Sequence, residues 1–148
     1  MRRILLANAD NCNGCLSCAT TCSQFREGAS SLSRSRIYIA LDPFGGHNKI
    51  AHCRQCKSAP CAAACPSEAI VLHAEGYWDI DYDKCIGCQA CVSACPFGAM
   101  FYDPVGDKVM KCNTCQGSPR CVEVCPSGAL MWMDPAERAA LSRARARG

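Results

Sequence analysis

Large apolar side chains are scarce in this chain of 148 residues. Leucine, isoleucine, valine and phenylalanine together number 25, about 17% of the positions, where globular domains usually carry roughly 20% or more. A core this thin offsets little of the conformational entropy lost on folding. We therefore expect the fold to depend on cross-links that are not apolar contacts.

Long apolar runs are also missing, and none approaches the roughly 20 residues of a membrane-spanning helix. Arg2 and Arg3 precede the apolar segment Ile4–Leu6, but Asp10 ends it before it reaches the length of an export-signal core. These features predict a short strand at Ile4–Leu6, a protein without membrane insertion, and a cytoplasmic location.

Cysteine, by contrast, is abundant: the chain has 16, about 11% of its residues, above the roughly 8 to 10% that marks a cysteine scaffold. They form four groups of four, repeated about every 30 to 40 residues, which indicates four copies of one loop. The groups are Cys12, Cys15, Cys18 and Cys22; Cys53, Cys56, Cys61 and Cys65; Cys85, Cys88, Cys91 and Cys95; and Cys112, Cys115, Cys121 and Cys125.

Three kinds of cross-link compete for these cysteines. Disulfides are typical of exported proteins, and cysteines three residues apart form strained bridges. Structural zinc usually takes two Cys-x2-Cys pairs separated by a longer insert, whereas here the third cysteine follows the second closely. The third group, with Pro96 directly after Cys95, matches the bacterial ferredoxin run in which three cysteines bind one 4Fe-4S cluster and the fourth binds another. Iron-sulfur clusters are therefore the favoured interpretation.

A similar five-residue segment follows three of the cysteine groups, at 66–70, 96–100 and 126–130. In each segment a proline begins a turn that is expected to lead into a short strand. The first group has Ser23 in place of that proline, so its helical turn is expected to continue past Cys22.

The remaining pattern predicts an α+β, loop-rich fold with short helices after the cysteine loops. Asp134 and Pro135 start a basic C-terminal helix, expected to end near Ala146 and to dock on a partner, within a terminal segment 134–148. Strands are expected at Ile4–Leu6, Ile37–Leu41, Ala69–His73, Tyr77–Ile80, Ala99–Tyr102, Lys108–Met110 and Ala129–Trp132.

The second cysteine group has a longer spacing before its third cysteine, Cys53-x2-Cys56-x4-Cys61, and the third group has the spacing of bacterial ferredoxins. On these two motifs, residues 1–133 resemble a known family. It comprises the electron-transfer iron-sulfur subunits of molybdenum and tungsten oxidoreductases, formate-hydrogen lyases and carbon monoxide dehydrogenases. The short length resembles the small polyferredoxin subunits of cytoplasmic enzymes, and among these the small iron-sulfur subunit of a tungsten aldehyde oxidoreductase is favoured, although a carbon monoxide dehydrogenase or hydrogenase-linked subunit would share the same cysteine pattern.

The resemblance implies two interleaved bacterial-ferredoxin-like modules, each with two 4Fe-4S clusters. The outer module (1–25 plus 105–133) contains the first and fourth motifs, and the inner module (50–104) contains the second and third. The four implied ligand sets are Cys12, Cys15, Cys18 and Cys125; Cys112, Cys115, Cys121 and Cys22; Cys53, Cys56, Cys61 and Cys95; and Cys85, Cys88, Cys91 and Cys65.

The sequence shows no recognisable nucleotide-binding loop or catalytic triad, so we expect a protein that conducts electrons and is not itself an enzyme. The implied partners are a catalytic oxidoreductase subunit of molybdenum or tungsten type and a further redox subunit, and self-association would lengthen the electron path. The alternatives are a free polyferredoxin and a subunit linked to carbon monoxide dehydrogenase or hydrogenase. Four oxidised clusters would change the formal charge from +3 to about −5, which argues against a nucleic-acid partner.

Overall fold

The computed structural model describes residues 3–147. Its regular elements are short strands paired two by two, with helices that follow the cysteine loops. The strands are β1 (Ile4–Ala7), β2 (Ile37–Ala40), β3 (Lys49–His52), β4 (Ile70–Leu72), β5 (Trp78–Ile80), β6 (Met100–Asp103), β7 (Lys108–Lys111) and β8 (Leu130–Met133). The helices are α1 (Ser17–Glu27), α2 (Pro60–Ala63), α3 (Ala90–Ala94), α4 (Arg120–Glu123) and α5 (Pro135–Arg147), with 3-10 turns at Ala9–Asn11, Leu32–Arg34 and Thr114–Gly117.

All four strand pairs are antiparallel: β1 with β8, β2 with β3, β4 with β5, and β6 with β7. The β1–β8 pair joins the two ends of the polypeptide, with Leu5 opposite Trp132. The other three pairs join strands that are neighbours in the sequence. The β6–β7 hairpin, Met100–Lys111, extends across residue 105, the expected boundary between the inner and outer modules.

Two small apolar clusters form the core. The first combines residues from both ends of the chain with β2, and the second comes from its middle. The first consists of Leu5, Cys18, Ala19, Ile37, Ile39, Cys121 and Leu130, and the second of Ala59, Cys61, Ile70, Ile80, Cys91, Met100 and Val109. Each buried aliphatic side chain contributes only about 1.5 to 3 kcal/mol, so clusters of this size give limited stabilisation.

Helix α1 extends five residues past Cys22, to Glu27, as expected from Ser23 at the position of the proline. It ends at Gly28, whose left-handed backbone (φ 70°) stops the helix. Helix α5 begins at Pro135, where it was expected, and Asp134 Oδ1 caps it by accepting from the Ala136 N–H at 2.8 Å. The small α+β, ferredoxin-like character of the fold is therefore confirmed.

None of the helices within residues 3–147 combines the length and the apolar character that crossing a lipid bilayer requires.

Candidate iron-sulfur centres

Each cysteine motif begins in a loop and ends in or just after a helix. The third cysteine of every motif is buried in the first helical turns, with an exposed fraction of 7 or 8%. These residues are Cys18 in α1, Cys61 in α2, Cys91 in α3 and Cys121 in α4. Because they belong to the apolar clusters, the packing of the core fixes one sulfur of every motif.

The residue before the second cysteine has a left-handed backbone in all four loops. Glycine occupies this position in the first and third motifs, as Gly14 (φ 75°) and Gly87 (φ 73°), whereas the second and fourth motifs have Gln55 (φ 49°) and Thr114 (φ 56°). Successive turns of this kind point backbone N–H groups into a concavity, which suits an anionic ligand. The loop conformation is therefore common to all motifs even where the glycine is absent.

The turn that follows the fourth cysteine donates hydrogen bonds to the sulfur of that cysteine. The N–H of Ala69 donates to Cys65 Sγ at 3.3 Å, and the N–H of Ala99 donates to Cys95 Sγ at 3.4 Å. In the fourth motif, burial raises the pKa of Cys125, but hydrogen bonds from Leu130, Ser127 and Ala129 outweigh it and hold the pKa below its usual value. This turn therefore stabilises a thiolate.

Three cavities are each lined by four cysteines, and each cavity takes one cysteine from a different motif. Their empty space, counted together with the open solvent at their mouths, is about 320, 360 and 300 Å³. In the same order, the cysteines are Cys12, Cys15, Cys18 and Cys125; Cys53, Cys56, Cys61 and Cys95; and Cys85, Cys88, Cys91 and Cys65. We name these the first, second and third sites after the motif that contributes three cysteines.

The remaining cysteines also lie together. Burial raises the pKa of Cys121, and the charges of Cys112, Cys22 and Cys115 raise it further. Helix α1, which contains Cys22, also packs against helix α4, which contains Cys121. We name these four cysteines the fourth site.

Pairs of thiols also connect one site to the next. Burial raises the pKa of Cys112 to about 12, with the charge of Cys53 as the second cause. In the same way Cys18 contributes to the raised pKa of Cys121, and Cys61 contributes to that of Cys91. The packing of α1 on α4 and of α2 on α3, and the hydrogen bond from Gln55 Nε2 to the Cys112 carbonyl, agree with this: the fourth site adjoins the first and second sites, and the third site adjoins the second.

A single zinc ion and a 4Fe-4S cluster require different arrangements of four cysteines. A single zinc ion would need four sulfurs about 2.3 Å from one point. Within the part of the chain that the structure describes, no three His, Cys, Asp or Glu side chains are gathered closely enough to hold one metal ion. No disulfide joins any of the sixteen cysteines, all of which lie in residues 3–147. Four thiols arranged around a volume fit a 4Fe-4S cluster, which supplies one-electron transfer when bound.

Comparison with protein families agrees with this fit. The family described as "4Fe-4S dicluster domain" matches residues 49–135, and the family "4Fe-4S binding domain" matches residues 9–25. The chain belongs to the 4Fe-4S dicluster family. The expectation of an iron-sulfur protein with several 4Fe-4S clusters is thus confirmed.

Several curated relatives are electron-transfer proteins. The aliphatic sulfonate oxidoreductase polyferredoxin-like subunit of Pyrococcus furiosus is 40% identical over 87 residues, which cover 58% of this chain and 50% of that protein. The electron transport protein HydN of Escherichia coli K12 is 33% identical over 94 residues, covering 60% of this chain and 53% of that protein. The chain spans about half the length of the curated relatives it matches.

Among solved structures, a chain of the active site complex BamBC of benzoyl coenzyme A reductase, as isolated, has a similar fold. The TM-score is 0.54 at 20% sequence identity, over 97% of this chain and 88% of that one. At this level of identity the likeness shows the fold.

Some residues around the sites carry no signal in the sequence. Gln55 Nε2 donates to the Cys112 carbonyl at 2.6 Å, and Gln55 Oε1 accepts from the Trp78 N–H at 2.7 Å. The indole N–H of Trp78 donates to the Cys56 carbonyl at 2.9 Å. Lys111, directly before Cys112, is 2% exposed and lines the second site. A lysine beside a cysteine motif is the one sequence feature that could have indicated it.

Proposed function

We propose that this protein is a non-catalytic electron-transfer subunit that relays electrons through four 4Fe-4S clusters. They would connect a catalytic oxidoreductase subunit with a second redox subunit or carrier. The observation that carries the proposal is the grouping of all sixteen cysteines into four adjoining quartets.

The proposed ligand sets are those implied by the sequence resemblance, with each fourth cysteine exchanged within a pair of motifs. The linings of the three cavities and the mutual effects of the fourth-site thiols support these sets. The composition of the two apolar clusters supports an outer module of the first and fourth motifs and an inner module of the second and third.

The proposed electron path runs from the first site to the fourth, then to the second and finally to the third. The neighbouring thiol pairs support this order, because each pair bridges two consecutive sites. A chain of this length has a radius of gyration of roughly 15 Å, which places adjacent clusters on the order of 10 Å apart. That spacing suits stepwise transfer with no substrate pocket between the sites.

We further propose a molybdenum- or tungsten-dependent catalytic partner in the cytoplasm. The similarity to subunits named for aliphatic sulfonate oxidoreductase and thiosulfate reductase supports an oxidoreductase partner. Self-association of the subunit into longer electron paths is the accompanying proposal for its quaternary structure.

The decisive experiment is anaerobic purification of the protein from its own host. We expect about sixteen iron and sixteen acid-labile sulfide per chain, spin-resonance signals of reduced cubanes, and co-purification in a stable hetero-complex. A colourless protein without labile sulfide would refute the clusters. A species with the mass of one chain and its clusters intact would instead favour a free polyferredoxin.

A further inference from the structure

Lys111 is a buried cation at the junction between the fourth and second sites. It ends strand β7, directly before Cys112 of the fourth site, and its side chain lines the second site. Its exposed fraction is 2%, which is rare for lysine because a desolvated ammonium must be compensated.

The ammonium has a partner for each of its three N–H bonds. Lys111 Nζ donates to Cys53 Sγ at 3.2 Å, to the Trp78 carbonyl at 3.1 Å and to the Cys112 carbonyl at 3.1 Å. Three donors in three directions are what a protonated lysine offers. The side chain is therefore held in one position against a sulfur of the second site.

No carboxylate balances this charge. In the described chain, Lys84 and Lys108 each have a carboxylate oxygen within 4.0 Å, but Lys111 has none. An unpaired buried charge is strongly destabilising, so the compensating negative charge must be that of the thiolates around it. Cys53 Sγ is the sulfur in contact.

The contact makes the second site different from the other three. Elsewhere in residues 3–147, the site sulfurs accept from backbone N–H groups or serine hydroxyls, as at Cys22, Cys65 and Cys112. Cys53 accepts from a backbone N–H, that of Gln55 at 3.4 Å, and also from a charged side chain. A fixed positive charge therefore contacts a sulfur of the second site, although it also lies beside Cys112 of the fourth site.

We propose that Lys111 is a positioning residue that raises the reduction potential of the second site and makes it the first of the four to be reduced. This inference rests on the proposed function. Reduction adds one electron and one negative charge at the site, with no bond formed or broken, and an external reductant such as dithionite supplies the electron. A cation in contact with a ligand sulfur stabilises the more negative state, and low local polarity strengthens the effect.

A raised reduction potential at the second site would affect electron transfer along the proposed path. The second site adjoins the fourth through Gln55 and Lys111 and the third through the packing of α2 on α3, so it is an interior step of the proposed relay. A higher potential there would retain the first electron inside the protein until a second electron arrives.

The main test compares the wild-type protein with Lys111→Met in an anaerobic redox titration followed by spin resonance. Methionine has a similar shape but no charge. We expect the equilibrium constant for reducing the highest-potential site to fall on the order of tenfold, about 59 mV for a one-electron couple, with the other couples changing much less. Lys111→Arg keeps the charge and should recover most of the wild-type value.

The matched control is Lys84→Met, which removes an exposed lysine next to Cys85 of the third site. It should leave the highest couple unchanged. If Lys111→Met contains all four clusters and that couple shifts less than threefold, the proposal is wrong.

A second variant decides the matter if Lys111→Met fails to assemble. Cys56→Ser changes a second-site cysteine that is not in contact with Lys111, in a chain where the lysine remains. The spectrum of the cluster reduced first should change in this variant, and a change confined to a cluster reduced later would overturn the proposal. A wild-type protein without clusters would refute the proposed function itself, whereas an unshifted couple in a fully loaded protein refutes only the role of Lys111.

Discussion

At the scale of single residues, equivalent positions of the cysteine motifs share a left-handed backbone conformation, although the residue type differs between motifs. In the turn after the fourth cysteine, Gly98 (φ 61°) and Gly128 (φ 66°) have left-handed backbones, and the equivalent residue in the second motif is Glu68 (φ 54°). A side chain in this conformation costs roughly 1 kcal/mol relative to glycine. The second motif therefore contains local strain that its two counterparts lack.

Glu68→Gly should stabilise the protein by about 1 kcal/mol, because Glu68 is exposed and glycine relieves the strain. The measurement is the guanidinium midpoint for loss of the visible cluster absorption. Gly98→Ala is the opposite change at the equivalent turn, where an added Cβ meets nothing within 4 Å, so it should lower the midpoint by strain alone. Shifts of the same sign in both variants would contradict this interpretation.

Away from the cysteine sulfurs, Glu27 forms ion pairs with three cationic side chains. Its side chain is 6% exposed and accepts from Arg36 at 2.6 Å, Arg34 at 3.1 Å and Lys108 at 3.0 Å. Burial alone would raise the pKa of Glu27, but hydrogen bonds from Arg36 and Lys108 outweigh it and hold the pKa below its usual value. Arg34 also pairs with Asp103 at 2.9 Å, so the network joins α1 to the β6–β7 hairpin.

Glu27→Gln should destabilise the protein by about 3 kcal/mol at pH 7, because it leaves the buried Arg36 without its carboxylate. The pKa of Glu27 is lower in the folded protein than the unfolded value of about 4.3, so the ionic contribution is complete above that pH. It is lost as the pH falls through the folded-state value. The difference between the denaturation midpoints of the two proteins should stay constant from about pH 8 to 5.5 and shrink below about pH 4.

Both proteins in that comparison contain the same acid-labile sulfide, so their difference isolates Glu27. Glu123→Gln, at an exposed position of α4, is the control and should match the wild type throughout. If the difference between the denaturation midpoints stays unchanged below about pH 4, Glu27 acts through packing and not through charge.

At the scale of secondary structure, the sequence predicted the elements that have a local cause. A proline after the fourth cysteine ends a helix, its replacement by Ser23 lets α1 continue, and Asp134 with Pro135 begins α5. Strand β3 was not expected, because Lys49–His52 carries no clear alternation and forms a strand by pairing with β2. The contacts of Lys111 and Glu27 were also not predictable, since they join residues 58 and 81 positions apart.

The β1–β8 pair holds the outer cysteines in place, and its buried residue Leu5 provides a test. Leu5 is 1% exposed, so Leu5→Ala should cost about 2 to 5 kcal/mol. We expect the iron of the first and fourth sites to be lost at a lower denaturant concentration than the iron of the other two sites, because Leu5 packs with Cys18 and Cys121. Iron analysis and spin resonance along the titration would detect the two stages.

Leu72→Ala makes the same chemical change at a strand leucine that is 53% exposed. It should leave unchanged the denaturant concentrations at which iron is lost from the two pairs of sites. Simultaneous loss of all four sites in Leu5→Ala would mean that the chain unfolds as one unit.

At the scale of the whole molecule, most of the protein surrounds its sites, but α5 does not. No residue of Pro135–Arg147 is buried, and the helix carries basic residues, including Arg145 and Arg147, in its last turn. A helix with no buried residue contributes little to the stability of the fold. Its role is therefore expected outside the chain, in contact with a partner subunit.

Deletion of residues 136–148 should leave the iron content and the visible spectrum unchanged, because no α5 side chain is buried. We expect the same deletion to abolish co-purification with the catalytic partner. A full-length variant with Arg143, Arg145 and Arg147 changed to glutamine separates the charge of the helix from its presence. Unchanged assembly of the shortened protein would refute the docking role, and loss of iron would show that α5 supports the fold.

The pairing of the two chain ends also constrains biosynthesis. Three cysteines of the first cavity belong to the first motif, but Cys125 and strand β8 leave the ribosome after the second and third motifs. The middle of the chain is complete earlier, since the second and third cavities use cysteines from positions 53 to 95. Iron delivery to a nascent chain would therefore begin at the second and third motifs, and the thiols of the first motif would wait longer than theirs for protection from oxidants.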